Sequence, residues 1–157
     1  MFKTVIWATD GSEDADRAMT PAVALATAEG AELHVVHIVE KLVSGRAGGL
    51  DTFADEPELK AKVERQARRI GRRDGLAVRV HLLAARDTRV GDRIVEIATD
   101  VGADVIVVGT RGRGAVGTFV LGSVTQRLLH VSHCPVLAIP RGVPARTEQP
   151  EPAATAG

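Results

Sequence analysis

The chain has 157 residues, 45% of them hydrophobic and 25% charged, and its Lys plus Arg equals its Asp plus Glu at 20 each. That is about one domain's length, enough to bury roughly two thirds of the unfolded surface, and zero net charge argues against nucleic-acid or membrane-surface binding, which leans on a basic excess. Cys134 is the only cysteine, so no internal disulfide forms; no run approaches the ~18 apolar residues of a membrane span; and the opening MFKTVIWATDGS lacks the apolar core of a signal peptide, making the cytoplasm the expected compartment.

Short β-rich apolar runs alternate with longer stretches of helical period, the pattern of βα units and a parallel sheet. Val5 to Ala8 reads as the first strand. A helix follows from Asp14 to Glu29, with Ala15, Ala18, Ala22, Leu25 and Ala26 on one stripe and Ser12 as its cap. Pro21 inside it removes one backbone donor and predicts a kink. After the second strand, Leu33 to Val39, residues 40–57 (EKLVSGRAGGLDTFADEP) form a connection of a length uncommon in compact domains unless functional or disordered. The second helix, Glu58 to Asp74, places Leu59, Val63, Ala67 and Ile70 on one face. Then come a strand at Val78 to Leu83, a helix at Val90 to Val101 and a strand at Val105 to Val108. The fourth helix opens near Gly122 and runs to about Val131; Pro135 forbids further helix before the last strand, Val136 to Ile139.

The strands are continuously apolar rather than alternating, so helices are expected on both faces. The expected fold is α/β: a five-stranded parallel sheet of order 3-2-1-4-5 flanked by about four helices, Rossmann-like or flavodoxin-like. Residues 1–140 form this domain, and 141–157 (RGVPARTEQPEPAATAG) an expected disordered tail.

Such a sheet binds ligands outside the carboxyl ends of its strands, where strand order reverses. Strands one and four meet there, carrying ATDGS (8–12) and GTRGRG (109–114). Gly112 to Gly117 spells the dinucleotide fingerprint G-x-G-x-x-G, but that pattern belongs after the first strand, with an acidic residue about 20 positions on, and neither condition holds. The P-loop reading lacks its lysine: Thr118 stands there. A third spacing fits: Gly109-x-x-Gly112, nine residues, then Gly122-Ser123. Gly109 ends a buried strand, where a missing side chain lets a ligand lie on the backbone. Gly122 and Ser123 return as a helix N-terminus, whose free N–H groups suit phosphate, and the Ser123 and Thr125 hydroxyls add donors.

With this G-2x-G-9x-G-[ST] pattern, and with VIWATDGSEDADRAM, LHVVHIV, ADVIVVGTRGRG and LGSVTQRLLHVSHCPVLAIP around it, the sequence resembles the ATP-binding branch of the universal stress protein family over roughly residues 2–140. The resemblance implies a cytoplasmic ATP-binding stress-response regulator, acting as a nucleotide-dependent switch with an unknown protein partner. It implies that Ala8 and Thr9 line the nucleotide beside Asp10, which binds it or helps hold Mg²⁺. Ile38 would meet the adenine. Val108, Gly109, Thr110, Gly112 and Arg113 would form the ribose and phosphate loop, and Gly122, Ser123, Val124 and Thr125 would hold the phosphates. The last strand would be a homodimer edge.

Plainer readings compete residue by residue. Asp10 in Asp-Gly-Ser is commonly an Asx turn; Arg111 and Arg113 are commonly solvated; Ser123 also suits a helix cap; His37 suits the core. His130, His133 and Cys134 share a helical face but lack a nearby carboxylate, which favours structural roles. Arg65, Arg68, Arg69, Arg72 and Arg73 form a basic stripe with no interleaved aromatic, read as a solvated face. No nucleophile-and-base pair stands out, so little or no catalysis is expected. The rivals are a slow ATPase or NAD(P)-binding enzyme and a dimerisation module with a vestigial site. Loop 40–57 leaves strand two on the site's side and is expected to act as a lid.

Overall fold

The computed structural model describes residues 1–41, 56–86, 89–111 and 121–140. Its elements are β1 (Thr4–Thr9), α1 (Glu13–Glu29), β2 (Glu32–Lys41), α2 (Glu56–Asp74), β3 (Val78–Arg86), α3 (Val90–Asp100), β4 (Val105–Gly109), α4 (Ser123–Val131) and β5 (Val136–Ile139). All strand pairs are parallel and the sheet order is β3-β2-β1-β4-β5, as expected. The chain begins at the centre, steps outward to β3, then returns past β1 to place β4 against it. That reversal opens the crevice at the carboxyl ends of β1 and β4.

Two cores sandwich the sheet. Val5, Trp7, Leu33 and Val35 face α1 and α2, meeting Ala18, Ala22, Val63 and Ile70. Ile6, Ala8, Val36, Ile106 and Val108 face α3 and α4, meeting Ile94, Ile97, Ala98 and Leu128. The central β1 is sealed on both faces, with Val5, Ile6 and Trp7 fully buried. The edge strands are not: Val80 and Leu137 are exposed, because two helices per face do not reach the rims of a five-stranded sheet.

Helix α1 continues through Pro21 for 17 residues. The carbonyl that loses its donor belongs to Arg17, an exposed residue. Ser12 caps the helix as expected, its Oγ accepting from Ala15 N at 3.2 Å, and left-handed Gly30 (φ 64°) ends it. Helix α2 starts two residues earlier than the apolar stripe indicates, since Pro57 sits in the first turn, where a missing N–H costs nothing.

On the α3 side of the sheet, His34 Nδ1 and His81 Nε2 lie 2.9 Å apart with near-parallel rings whose centroids are 5.1 Å apart. That centroid distance is close to the nitrogen gap plus the two ring radii, so the nitrogens point at one another in an N–H···N bond. Glu32 stands 3.5 Å from His34 Nε2 and pairs with Arg79. Burial, then the neighbouring His34 and Arg79, hold the His81 pKa below its usual value of about 6.5, with Glu32 opposing. The unfolded chain therefore binds this proton more readily. Stability is full above the unfolded pKa and falls as pH drops toward the folded one. The urea midpoint is expected to decline between pH 7.5 and 5.5, and His81→Gln to flatten that decline; parallel profiles for the two proteins would contradict it.

Candidate functional site

The β1–α1 loop is held by hydrogen bonds to the Thr9 and Gly11 carbonyls and to the Gly11 and Ser12 amides. His37, buried on β2, donates from Nδ1 to the Thr9 carbonyl at 2.8 Å. Thr9 Oγ1 accepts from Gly11 N at 3.1 Å, and Asp10 Oδ1 accepts from Ser12 N at 3.0 Å. Asp10 thus forms an Asx turn while sitting at the crevice, so its structural and functional readings are compatible. Gly11 adopts φ 77°, a conformation that needs glycine. Lys62, from α2, donates to the Gly11 carbonyl at 2.8 Å and to Asp16 Oδ2 at 2.6 Å.

Across the crevice, Gly109 ends β4 for a reason different from the expected one. A Cβ there would lie 2.7 Å from the carbonyl oxygen of Asp14, so the absent side chain admits the backbone of α1's first turn. The Gly109 carbonyl accepts from Thr125 Oγ1 at 2.8 Å. Thr125 is 2% exposed, so its hydroxyl is engaged inside the fold and does not serve as the expected phosphate donor. Thr110 N donates to Ile139 O at 2.9 Å, and Gly122 N donates to Thr110 O at 2.8 Å. The two halves of the glycine pattern are therefore stapled together at the base of the excursion between them. That bond uses the Gly122 amide.

What remains at the mouth is the start of α4. Gly122 is its N-cap in extended conformation, with no side-chain cap. Gln126 N takes the first helical bond, to Gly122 O, which leaves the amides of Ser123, Val124 and Thr125 with no acceptor among the described residues. Ser123 is exposed and its hydroxyl joins them. Three convergent N–H groups at the positive end of a helix suit an anion. Ala8 and Val108 pair side by side, and both are buried, as is Ile38 beyond them on β2. All three belong to the core between the sheet and α3 and α4. Arg111 is half-buried at the start of the excursion. Gly112 and Arg113, the 42–55 portion of the expected lid and the tail 141–157 lie outside the described residues.

Other candidates fall elsewhere. The imidazole of His130 bonds the Gln126 carbonyl, His133 lies 3.5 Å from Thr99, and Cys134 neighbours Ser132, so the three have separate surroundings. The arginine stripe lines the outer face of α2, where Arg68 pairs with Glu64 and Arg73 with Asp74. Lys62 went unrecognised in the sequence, being remote from the loop it holds.

The chain is a doubly wound parallel α/β domain that carries, at its switch point, an acidic turn and a helix N-terminus with no side-chain cap among the described residues. The profile of the Universal stress protein family matches residues 1–140, and the chain belongs to that family. It is 35% identical over 144 residues to the Universal stress protein in QAH/OAS sulfhydrylase 3'region of Thermus aquaticus, covering 88% of this chain and 99% of that one. Among solved structures, the universal stress protein of Archaeoglobus fulgidus in complex with dAMP superposes with a TM-score of 0.63 at 27% identity, covering 88% of this chain and 98% of that one. A universal stress protein in complex with cAMP gives 0.65 at 26% identity, covering 88% and 97%.

Removing the Thr125 hydroxyl tests the junction under the site. Thr125→Val leaves the buried Gly109 carbonyl without its donor and is expected to lower unfolding free energy by about 1–3 kcal/mol, measured by urea denaturation. A change within error would show that the bond contributes nothing.

Proposed function

We propose that the chain is an adenine-nucleotide-binding regulator, with ATP as its ligand, that serves as a switch in stress or dormancy and has little or no catalytic turnover. The observation that carries this reading is the N-terminus of α4, whose first amides have no acceptor among the described residues, at the strand-order reversal that also carries the Asp10 turn. The relatives crystallised with dAMP and cAMP support an adenine nucleotide as the class of ligand. In this reading the phosphates lie on the Ser123, Val124 and Thr125 amides, and the base lies against Ala8, Val108 and Ile38.

Mg²⁺ suits the arrangement. It keeps several waters and takes one or two carboxylates together with phosphate oxygens, and Asp10 supplies a carboxylate whose direction is set by its bond to Ser12 N. A bound Mg²⁺ would offset phosphate charge. The exposed Leu137 on the edge strand β5 and Leu129 on the adjoining α4 support dimerisation through that edge. A regulatory protein would then read the nucleotide state in the cytoplasm.

Mass spectrometry of small molecules released on denaturing the purified protein tests the ligand: ATP supports the reading, and NAD(P) or a persistently empty site that titrated ATP does not fill overturns it. Gly122→Asp gives a sharper contrast. The extended backbone at this cap, φ −61° and ψ 148°, accepts an aspartate, whose carboxylate would take the orphan amides itself. Stability is expected to stay level or rise by a few tenths of a kcal/mol, while calorimetric ATP affinity falls at least about tenfold. Undiminished affinity would place the phosphates elsewhere.

A further inference from the structure

The peptide group joining Gly11 to Ser12 is gripped at both ends. Its N–H is donated to Asp10 Oδ1 at 3.0 Å, and its C=O accepts from Lys62 Nζ at 2.8 Å. A peptide group is planar, so its two ends turn together. Releasing the carbonyl from Lys62 frees the whole unit to rotate, and rotation takes the N–H away from Asp10. Such a rotation turns ψ of Gly11 and φ of Ser12, and at the first of these glycine has no Cβ to resist it.

The grip belongs to α2 as a whole. Leu59, Lys62 and Gln66 recur at helical spacing and meet the loop and the first turn of α1 in succession. Leu59 packs so closely on Gly11 that a Cβ there would lie 2.8 Å from its Cδ1. Lys62 also bonds Asp16 Oδ2, and Gln66 Nε2 donates to Asp16 Oδ1 at 2.9 Å. Both oxygens of Asp16, in α1's first turn, are therefore held from α2. The Lys62 and Asp16 side chains are 34% and 29% exposed, so this ion pair is screened less than one in open water. A cation on the carbonyl also polarises the peptide and strengthens its N–H as a donor to the Asp10 carboxylate.

We propose that Lys62 is a positioning residue for the nucleotide site: without touching the ligand, it locks the Gly11–Ser12 peptide and so fixes the direction of the Asp10 carboxylate. This rests on the nucleotide reading above, in which Asp10 serves the ligand. It also makes α2 the element through which nucleotide occupancy and the position of the loop are coupled, since whatever shifts α2 unlocks the peptide.

A double-mutant cycle on the full chain tests it, with ATP and Mg²⁺ as the titrated probe. Lys62→Met is expected to weaken ATP binding about tenfold, and Lys62→Arg, which keeps a charged donor, to retain most of the affinity. In an Asp10→Ala background Lys62→Met is expected to cause no further loss, because the carboxylate it directs is gone. The Ser12 amide is expected to exchange faster with solvent in Lys62→Met while amides of the β1 core do not, a readout that general destabilisation would not give. Unchanged ATP affinity in Lys62→Met, or losses that simply add in the double variant, would overturn the positioning role alone. Failure of the unaltered chain to bind ATP would overturn the nucleotide reading and this inference with it. If Lys62→Met does not fold, Lys62→Gln carries the same comparison, and a Ser12 amide as protected as in the unaltered chain overturns the lock.

Discussion

The structure turns on how closely the first turn of α1 approaches the end of β4. Gly109 has no side chain to hold them apart, and the Asp14 carbonyl occupies the space a Cβ would need. The same residue's own carbonyl is bound by Thr125 from α4, and Trp7 beneath donates from Nε1 to Ala15 O at 2.9 Å. Helices from opposite faces of the sheet are thereby tied to one point on the central strands. The N-termini of α1 and α4 and the carboxyl ends of β1 and β4 are consequently brought to a common rim. A larger residue at 109 would lift α1 and with it the Asp10 turn.

Around that point the polar groups divide into those that build the rim and those left for a ligand. The Thr9 and Gly11 carbonyls, the Ser12 amide, the Gly122 amide and the Thr125 hydroxyl are engaged within the protein. The amides of Ser123, Val124 and Thr125 find no such partner among the described residues. α1 and α4 differ in this respect: α1 closes its own N-terminus with Ser12, whereas Gly122 offers no side chain to do so. In the proposed reading, such a helix start beside a hydrogen-bonded acidic turn would meet a charged ligand at little cost of ordering.

The fold was legible in the sequence because its signals were local. Apolar runs gave the five strands, periodic stripes gave the four helices, and the chain order of βα units constrained the topology. Boundaries went astray where pairing does not depend on hydrophobicity. β2 reaches Lys41 and β3 reaches Arg86 because the ladder continues through backbone bonds past the last apolar residue. For the candidate site, the sequence pointed to which residues meet at the strand-order reversal and less to the contacts they make there. Gly109 and Thr125 stand where expected but serve each other, since a glycine that admits a ligand and one that admits a helix look alike in sequence. Lys62 left no trace, because its partners are 51 and 46 residues away along the chain and a lone lysine on a charged helix carries no pattern.

The central claim is that the nucleotide's phosphates rest on the amides at the start of α4, opposite the Asp10 turn. Amide chemical shifts recorded while ATP and Mg²⁺ are titrated into the uniformly ¹⁵N-labelled chain address it most directly. The account predicts that the largest shifts fall on Ser123, Val124 and Thr125 and on the Gly11 and Ser12 amides, saturating together. Saturable shifts confined to other parts of the fold, with these amides unmoved, would contradict it.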